Sequence, residues 1–143
     1  MIAIEKGTIK EVYELMDAVP EFTLQQTLAD YEERCQQGQL ALVARIEGKA
    51  AGFKLAYDRL GDGSLYSWIG AVLPEFRRMG VAQALADSQE EWAREQGYTS
   101  IVFKTRNCFP AMIHFAIANG FKIIDIDKRE EPDEHRIWLK KSL

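Results

Sequence analysis

The residues best suited to chemistry lie where a strand-like run gives way to a helical one, Ala71-Val72-Leu73-Pro74-Glu75-Phe76-Arg77-Arg78-Met79-Gly80-Val81-Ala82. A helix start leaves about four N–H groups without intrahelical partners. The side chains that usually cap them, Ser, Thr, Asp or Asn, are missing here. Two arginines stand in their place, at the positive end of the helix dipole, where a cation costs about a few tenths of a kcal/mol. A bound anion reverses both problems, taking the free N–H groups and pairing with Arg77 and Arg78. Gly80 lets a ligand approach the backbone closely, and Ala82 keeps the next turn small. The stretch reads as a phosphate seat, with two solvated arginines over hydrated amides as the alternative. It is not a Walker A loop, because no Gly-Lys-Ser/Thr follows, nor a dinucleotide fingerprint, because it holds a single glycine.

The remaining reactive side chains are sparse. Cys35, Cys108, His114 and His135 are scattered, with no CxxC pair, so no metal is expected. Cys35 sits on a helical apolar stripe and reads as a small core residue. Cys108 has no fixed His or carboxylate partner, which argues against an acyl-cysteine route. His114 reads as a surface or satisfied helix residue, and His135 falls in a charged loop.

Elements must hold the Arg77–Ala82 turn in place, and the patterning supplies them. Ile2–Glu5 reads as a short edge strand. Thr8 and Glu11 form a capping box ahead of the stripe Ile9, Val12, Met16 and Val19, which Pro20 stops. A second box at Thr23 and Gln26 opens a helix through Leu24, Leu28, Tyr31 and Cys35, up to Gly38. Leu40–Ile46, Ala50–Leu60 and Ser64–Leu73 read as three strands, joined at Glu47-Gly48 and Gly61-Asp62-Gly63 into an antiparallel meander. Val81, Ala84, Leu85, Ser88 and Trp92 mark a helix that ends at Gly97. Ser100–Lys104 is a strand, Pro110–Asn119 an apolar helix stopped by Gly120, and Lys122–Lys128 and His135–Leu139 are closing strands. The order β-αα-βββ-α-β-α-ββ makes residues 1–143 one mixed α/β domain, a mostly antiparallel sheet of about seven strands with four helices.

Composition agrees. The chain has 143 residues, 47% of them hydrophobic and 28% charged, which suits one globular core and excludes a disordered tail or a disulfide-stapled miniprotein. The net charge of −4 opposes sequence-independent nucleic-acid binding, which needs a basic surface. No apolar run approaches the length of a membrane span, and the first residues lack the pattern of a secretory signal. A cytoplasmic location is expected, without a nucleic-acid or membrane partner.

With these residues in view, the sequence resembles the GNAT superfamily of N-acetyltransferases. Arg77-x-x-Gly80-x-Ala82 matches the Q/R-x-x-G-x-G/A signature. Ala71–Glu75 is similar to that family's fourth strand, Asn107 through Gly120-Phe121 to its later motif, and the element order is the same. The resemblance implies acetyl-CoA, or another acyl-CoA, as cofactor. It places the pyrophosphate on the amides of Arg78, Met79, Gly80, Val81 and Ala82, with the arginines nearby. It also implies that the pantetheine arm pairs with backbone of Val72 and Leu73, by strand addition in a slot where two strands part. Gly70 is the bulge position on this reading, or a strand glycine that simply relieves crowding. Asn107 faces the cofactor arm or caps a turn, and Phe115 lines the slot or is core.

Acyl transfer to an amine needs a neutral amine, a donor for charge growing on the carbonyl oxygen, and a proton for the leaving thiolate. The family's oxyanion donor maps to the backbone N–H of Val72. Its usual helix Tyr maps to Ala116, which carries no proton, and the carboxylate base of one branch maps to Tyr66. Tyr66 is thus a substitute acid, a substrate-lining group or a half-buried strand aromatic. Glu21 and Phe22, at the corner between the first two helices, are candidates for the acceptor side. Acetyl transfer to a primary amine, of a small molecule or a peptide, is the leading reading, and a non-catalytic CoA-binding or sensing module the alternative. The acidic segment Arg129–Glu134 points weakly to a cationic acceptor, and exposed sheet edges permit a homodimer.

Overall fold

The computed structural model describes residues 1–22 and 26–143. Seven strands form one sheet: β1 (Ile2–Lys6), β2 (Leu40–Ile46), β3 (Lys49–Tyr57), β4 (Ser64–Val72), β5 (Ser100–Arg106), β6 (Lys122–Asp127) and β7 (Arg136–Ser142). Their spatial order is β1-β2-β3-β4-β5-β7-β6. Every pair is antiparallel except β4 with β5. The helices are α1 (Ile9–Leu15), α2 (Leu28–Arg34), α3 (Val81–Glu95) and α4 (Pro110–Ala118). The expected element order and the β2-β3-β4 meander are both present.

Local chemistry sets the boundaries. The Thr8–Glu11 capping box opens α1, and Ile9, Val12, Met16 and Val19 are all buried. Thr23 and Leu24, expected to open the second helix, lie outside the described residues. Within the described chain α2 starts at Leu28, where Thr27 and Asp30 make a capping box of their own. Glu47 and Gly48 both take positive φ, 51° and 79°, as the tight β2–β3 hairpin turn requires. The third strand stops at Tyr57, short of the expected Leu60, and the Asp58 carboxylate accepts from the Gly61 N–H at 3.1 Å. The last strand extends to Ser142 because β7 pairs with β5 along its whole length.

Two layers of side chains flank the sheet. On one face α1 and α2 cover Phe53, Leu55, Tyr57, Tyr66 and Val102. On the other, Val81 and Leu85 of α3 meet Leu40, Leu42, Leu65 and Ile101, while Ala116 of α4 meets Ile137 and Leu139. The ends of α3 and α4 are linked there by Gln83 donating to Asn119 at 2.7 Å.

The feature that makes a site is where β4 and β5 part. They pair only from Ser64–Tyr66 to Ser100–Val102, yet β4 runs on to Val72 and β5 to Arg106. Beyond Tyr66 and Val102 the sheet is open between them. The bulge that bends β4 falls at Trp68, since Leu55 faces Ile69 while Ala56 faces Ser67. It is not at Gly70, which sits in regular register opposite Lys54.

Candidate active site

The turn into α3 is built to leave N–H groups free. Pro74–Phe76 is a single 3-10 turn, Arg78 adopts φ 65°, and Gly80 caps α3 at φ 85° with no side-chain hydrogen bond. Left-handed backbone is uncommon for a non-glycine residue, and with Arg78 and Gly80 both left-handed, two positions apart, successive N–H groups can converge on an anion. The first intrahelical bond runs from Ala84 N–H to Gly80 C=O, so the N–H groups of Val81, Ala82 and Gln83 have no helical acceptor. Val81 anchors the turn with its side chain fully in the core. It packs where any Cβ on Gly52 would collide, 2.9 Å from its Cγ1. Arg78, Met79, Gly80 and Ala82 are exposed, so backbone and arginine both reach a ligand.

The slot edge follows from the register. Leu73 donates to the Ala51 carbonyl at 2.8 Å, and antiparallel pairs alternate between bonded and non-bonded positions. Val72 and Gly70, opposite Gly52 and Lys54, are the non-bonded positions. Their N–H and C=O groups turn away from β3 into the opening beside β5. This orientation suits the expected donor role of the Val72 N–H. Leu73 does not share it: its N–H is taken by Ala51 and its carbonyl accepts from Phe76 at 2.9 Å. Of the two residues expected to pair with the cofactor arm through their backbone, Val72 faces the opening, whereas both backbone groups of Leu73 already have partners.

Several predicted side chains have other partners. Arg77 donates through Nε to the Val72 carbonyl at 3.3 Å and pairs with Glu21 at 3.0 Å. Its guanidinium thus ties the α1–α2 corner to the end of β4 instead of standing free for an anion. The Glu21 carboxyl lies below its ordinary range, chiefly through a bond from its own backbone and then through Arg77. Phe22 packs on Phe53, ring centroids 6.0 Å apart, as part of the core. Asn107 is turned from the slot, its amide donating to the Pro132 carbonyl at 3.3 Å, so it holds the β6–β7 loop. Phe115 is half-buried on α4, whereas the family-Tyr position, Ala116, is buried in the core.

Tyr66 is 2% exposed and stands at the last paired position before the strands part. Burial raises its hydroxyl above 10.0, against the opposing pull of Arg59. Arg59 lies over the ring at 4.8 Å from its centroid. Tyr66 is thus fully buried, not half-buried as expected of a strand aromatic. Cys35 is fully buried, and burial pushes its thiol to about 11, which leaves it inert. His135 Nδ1 accepts from the Arg129 N–H at 2.9 Å, a loop contact.

Two features escape sequence reading. Lys54 lies across Gly70, where an added Cβ would stand 3.1 Å from Nζ and 3.4 Å from Cγ. Gly70 is therefore small to let a long side chain fold over the strand that borders the slot. Burial lowers the Lys54 ammonium from 10.5 to about 8, and it makes no ion pair among the described residues. A lysine inside the apolar run Gly52–Ala56 is the one signal that would have flagged it. The second feature is a set of cations on the α1–α2 face, Arg34, Arg59 and Lys104, each over an aromatic ring. They come from distant segments, so spacing cannot reveal them.

The capless helix start and the parted strands both lie toward the C-terminal end of β4. The family model described as Acetyltransferase (GNAT) family matches residues 9–121. The chain belongs to the GNAT acetyltransferase family. Members of this family take the acetyl group from acetyl-CoA. Among solved structures, the GNAT fold is similar to the ribosomal-protein-S18-alanine N-acetyltransferase of Escherichia coli, with TM-score 0.84 and 18% identity over 99% of this chain and 94% of that one. A GNAT family acetyltransferase from Elizabethkingia anophelis with acetyl-CoA bound gives 0.79 and 20%, over 99% and 98% of the two chains. A Bacillus subtilis acetyltransferase in complex with CoA gives 0.78 and 21%, over 100% and 99%. No curated protein sequence matches the chain.

Proposed function

We propose that this GNAT acetyltransferase moves the acetyl group of acetyl-CoA directly to a primary amine of a small molecule or a peptide. The observation that carries this is the opening of β4 from β5 beside an uncapped α3. Arg78 and the N–H groups of Met79 to Ala82 would hold the pyrophosphate, and the Val72 N–H faces the slot along which the arm would lie. Phe115 would border it from α4. Bound there, acetyl-CoA supplies an activated thioester. The Val72 N–H then donates to the carbonyl oxygen as negative charge grows on it, an interaction that needs no side chain. Holding acceptor and donor in one slot supplies much of the remaining acceleration.

The Tyr66 hydroxyl, kept protonated by burial, is the proton-bearing group at the closed end of the slot. Tyr66→Phe separates its roles: lost turnover with an intact fold marks a proton role, and an unchanged rate and pH profile marks packing alone. Glu21 borders the acceptor side only through Arg77. A homodimer belongs to the same reading, since the edge strand β6 exposes Ile123, Ile124 and Ile126. Sedimentation as a single monomer at all concentrations would remove it.

Thermal-shift titration tests the cofactor. Acetyl-CoA at about 100 times its dissociation constant should stabilise the fold by about 2.7 kcal/mol, a rise of several degrees, with ATP and NAD inert. No shift at saturation would sink the proposal. A shift without release of CoA thiol in the presence of any amine tested would favour the non-catalytic CoA-binding module.

A further inference from the structure

On the face covered by α1 and α2, where β4 and β5 part, the protein places its own cations on an aromatic floor. Tyr66 and Trp138 lie 6.0 Å apart, and Tyr57 links Tyr66 to Trp68 with 5.6 Å on either side. Arg59 stands 4.8 Å from the Tyr66 centroid and 5.9 Å from that of Trp138, while Lys104 stands 5.4 Å from Trp138. Arg34 lies 4.8 Å above Trp68. None of these three cations makes an ion pair among the described residues, although Arg45, Arg77, Arg94, Arg106, Arg129 and Arg136 all do.

Like charges gathered without a counter-ion repel. The Lys104 ammonium is held below 10.5, first by burial and then by the charges of Arg59, Arg136, Arg34 and Arg129. In a chain of net charge −4 such a gathering is not the background. An anion seated among them relieves the repulsion and gains charge-assisted hydrogen bonds. A cationic guest is disfavoured, because the ring faces that would receive it already carry arginine and lysine. The place is also distinct from the phosphate seat, which belongs to the Arg78–Ala82 turn beyond the end of β4, while Arg34, Arg59 and Lys104 come from other segments. The segment Arg129–Glu134, expected to favour a cationic acceptor, spends its Glu134 carboxylate on Arg106 and Arg136, each at 3.6 Å.

We infer that the acceptor amine carries an anionic group, a carboxylate or a phosphate, which Arg34, Arg59 and Lys104 seat at the closed end of the slot. This rests on the acetyl-transfer reading above. The chemistry of transfer is unchanged: the acceptor nitrogen bonds to the acetyl carbon, the carbon–sulfur bond breaks, and the proton lost by nitrogen ends on the thiol. The anion sets which amine is held there.

Tryptophan emission of CoA-loaded protein reports the site directly, with Trp92→Phe removing the one tryptophan that lies elsewhere, against Tyr98. The probes are L-glutamate, phosphoethanolamine and a peptide beginning Asp-Glu, each against a counterpart with fewer anionic groups: L-glutamine, ethanolamine and the Asn-Gln peptide. At least one anionic probe should bind about ten-fold or more tighter than its counterpart, less so at high salt. The arm that binds names carboxylate or phosphate as the source. Arg59→Gln should abolish the preference and Arg59→Lys restore part of it, which a packing role for Arg59 would not do. Lys104→Gln should weaken it too, and serves if Arg59→Gln fails to fold. No charge preference in any arm, or a preference intact in both neutral variants, overturns the inference while CoA binding stands. Failure of the wild type to bind CoA removes the transfer reading, and the acceptor role with it.

Discussion

At the scale of single residues, the site is organised by pairs that each settle where the other can be. Lys54 folds over Gly70, and Arg77 is held by Glu21 and the Val72 carbonyl. Lys54 has a measurable cost. Its folded-state value of about 8 lies below the 10.5 of an exposed lysine, so between these values the unfolded chain binds more protons and stability rises with pH. Below pH 8 the folded protein carries a desolvated ammonium at full cost. Lys54→Met should therefore stabilise the protein at pH 7 by about 1–3 kcal/mol, allowing for partial solvent access, and the gain should shrink as pH rises from 8 to 10.5. Urea unfolding of both proteins at pH 7 and pH 10 checks it, and an equal gain at both pH values would rule the charge out as cause. Glu21→Gln should leave the melting temperature nearly unchanged, since both partners of its ion pair with Arg77 are exposed.

At the scale of elements, the turn from β4 into α3 joins strand, strained backbone and helix dipole in one short stretch. Gly80 at φ 85° is where a side chain is least tolerable. Gly80→Ala should cost about 1–2 kcal/mol and weaken acetyl-CoA by about ten-fold through the displaced N–H groups. Calorimetric titration and a melting curve on the same sample separate the two effects. An unchanged affinity with a lowered melting temperature would mean that the turn shapes the fold without holding the ligand. The Trp68 bulge acts at the same scale, since it bends β4 and adds an aromatic residue to the floor beneath Arg34.

For the molecule as a whole, the sheet carries unequal protection. β3 lies between two bonded neighbours and is mostly buried, whereas every residue of β6 is exposed at the sheet edge. Amide exchange should be fastest in β6 and approach the global unfolding limit in β3. Comparable rates in the two strands at low protein concentration would show that something covers the edge.

The chain by itself determined the element order, the two early helices' apolar stripes, the hairpins and the capless start of α3. All of these are written in local periodicity, caps and turn residues, which act within a few positions. The Rxx-Gly-x-Ala turn was legible for the same reason. Only the tertiary structure decided the rest: that Asn107 faces the Pro132 loop, that Arg77 is spent on Glu21, that Leu73 gives its N–H to β3 while Val72 and Gly70 face the slot, and that Arg34, Arg59 and Lys104 converge. Register and bulge position are set by pairing between strands far apart in the chain, and one residue of slip exchanges the two faces. Charge clusters gathered across a sheet leave no spacing to read. The proposed phosphate seat is local backbone chemistry, and the proposed acceptor seat is assembled from distant segments.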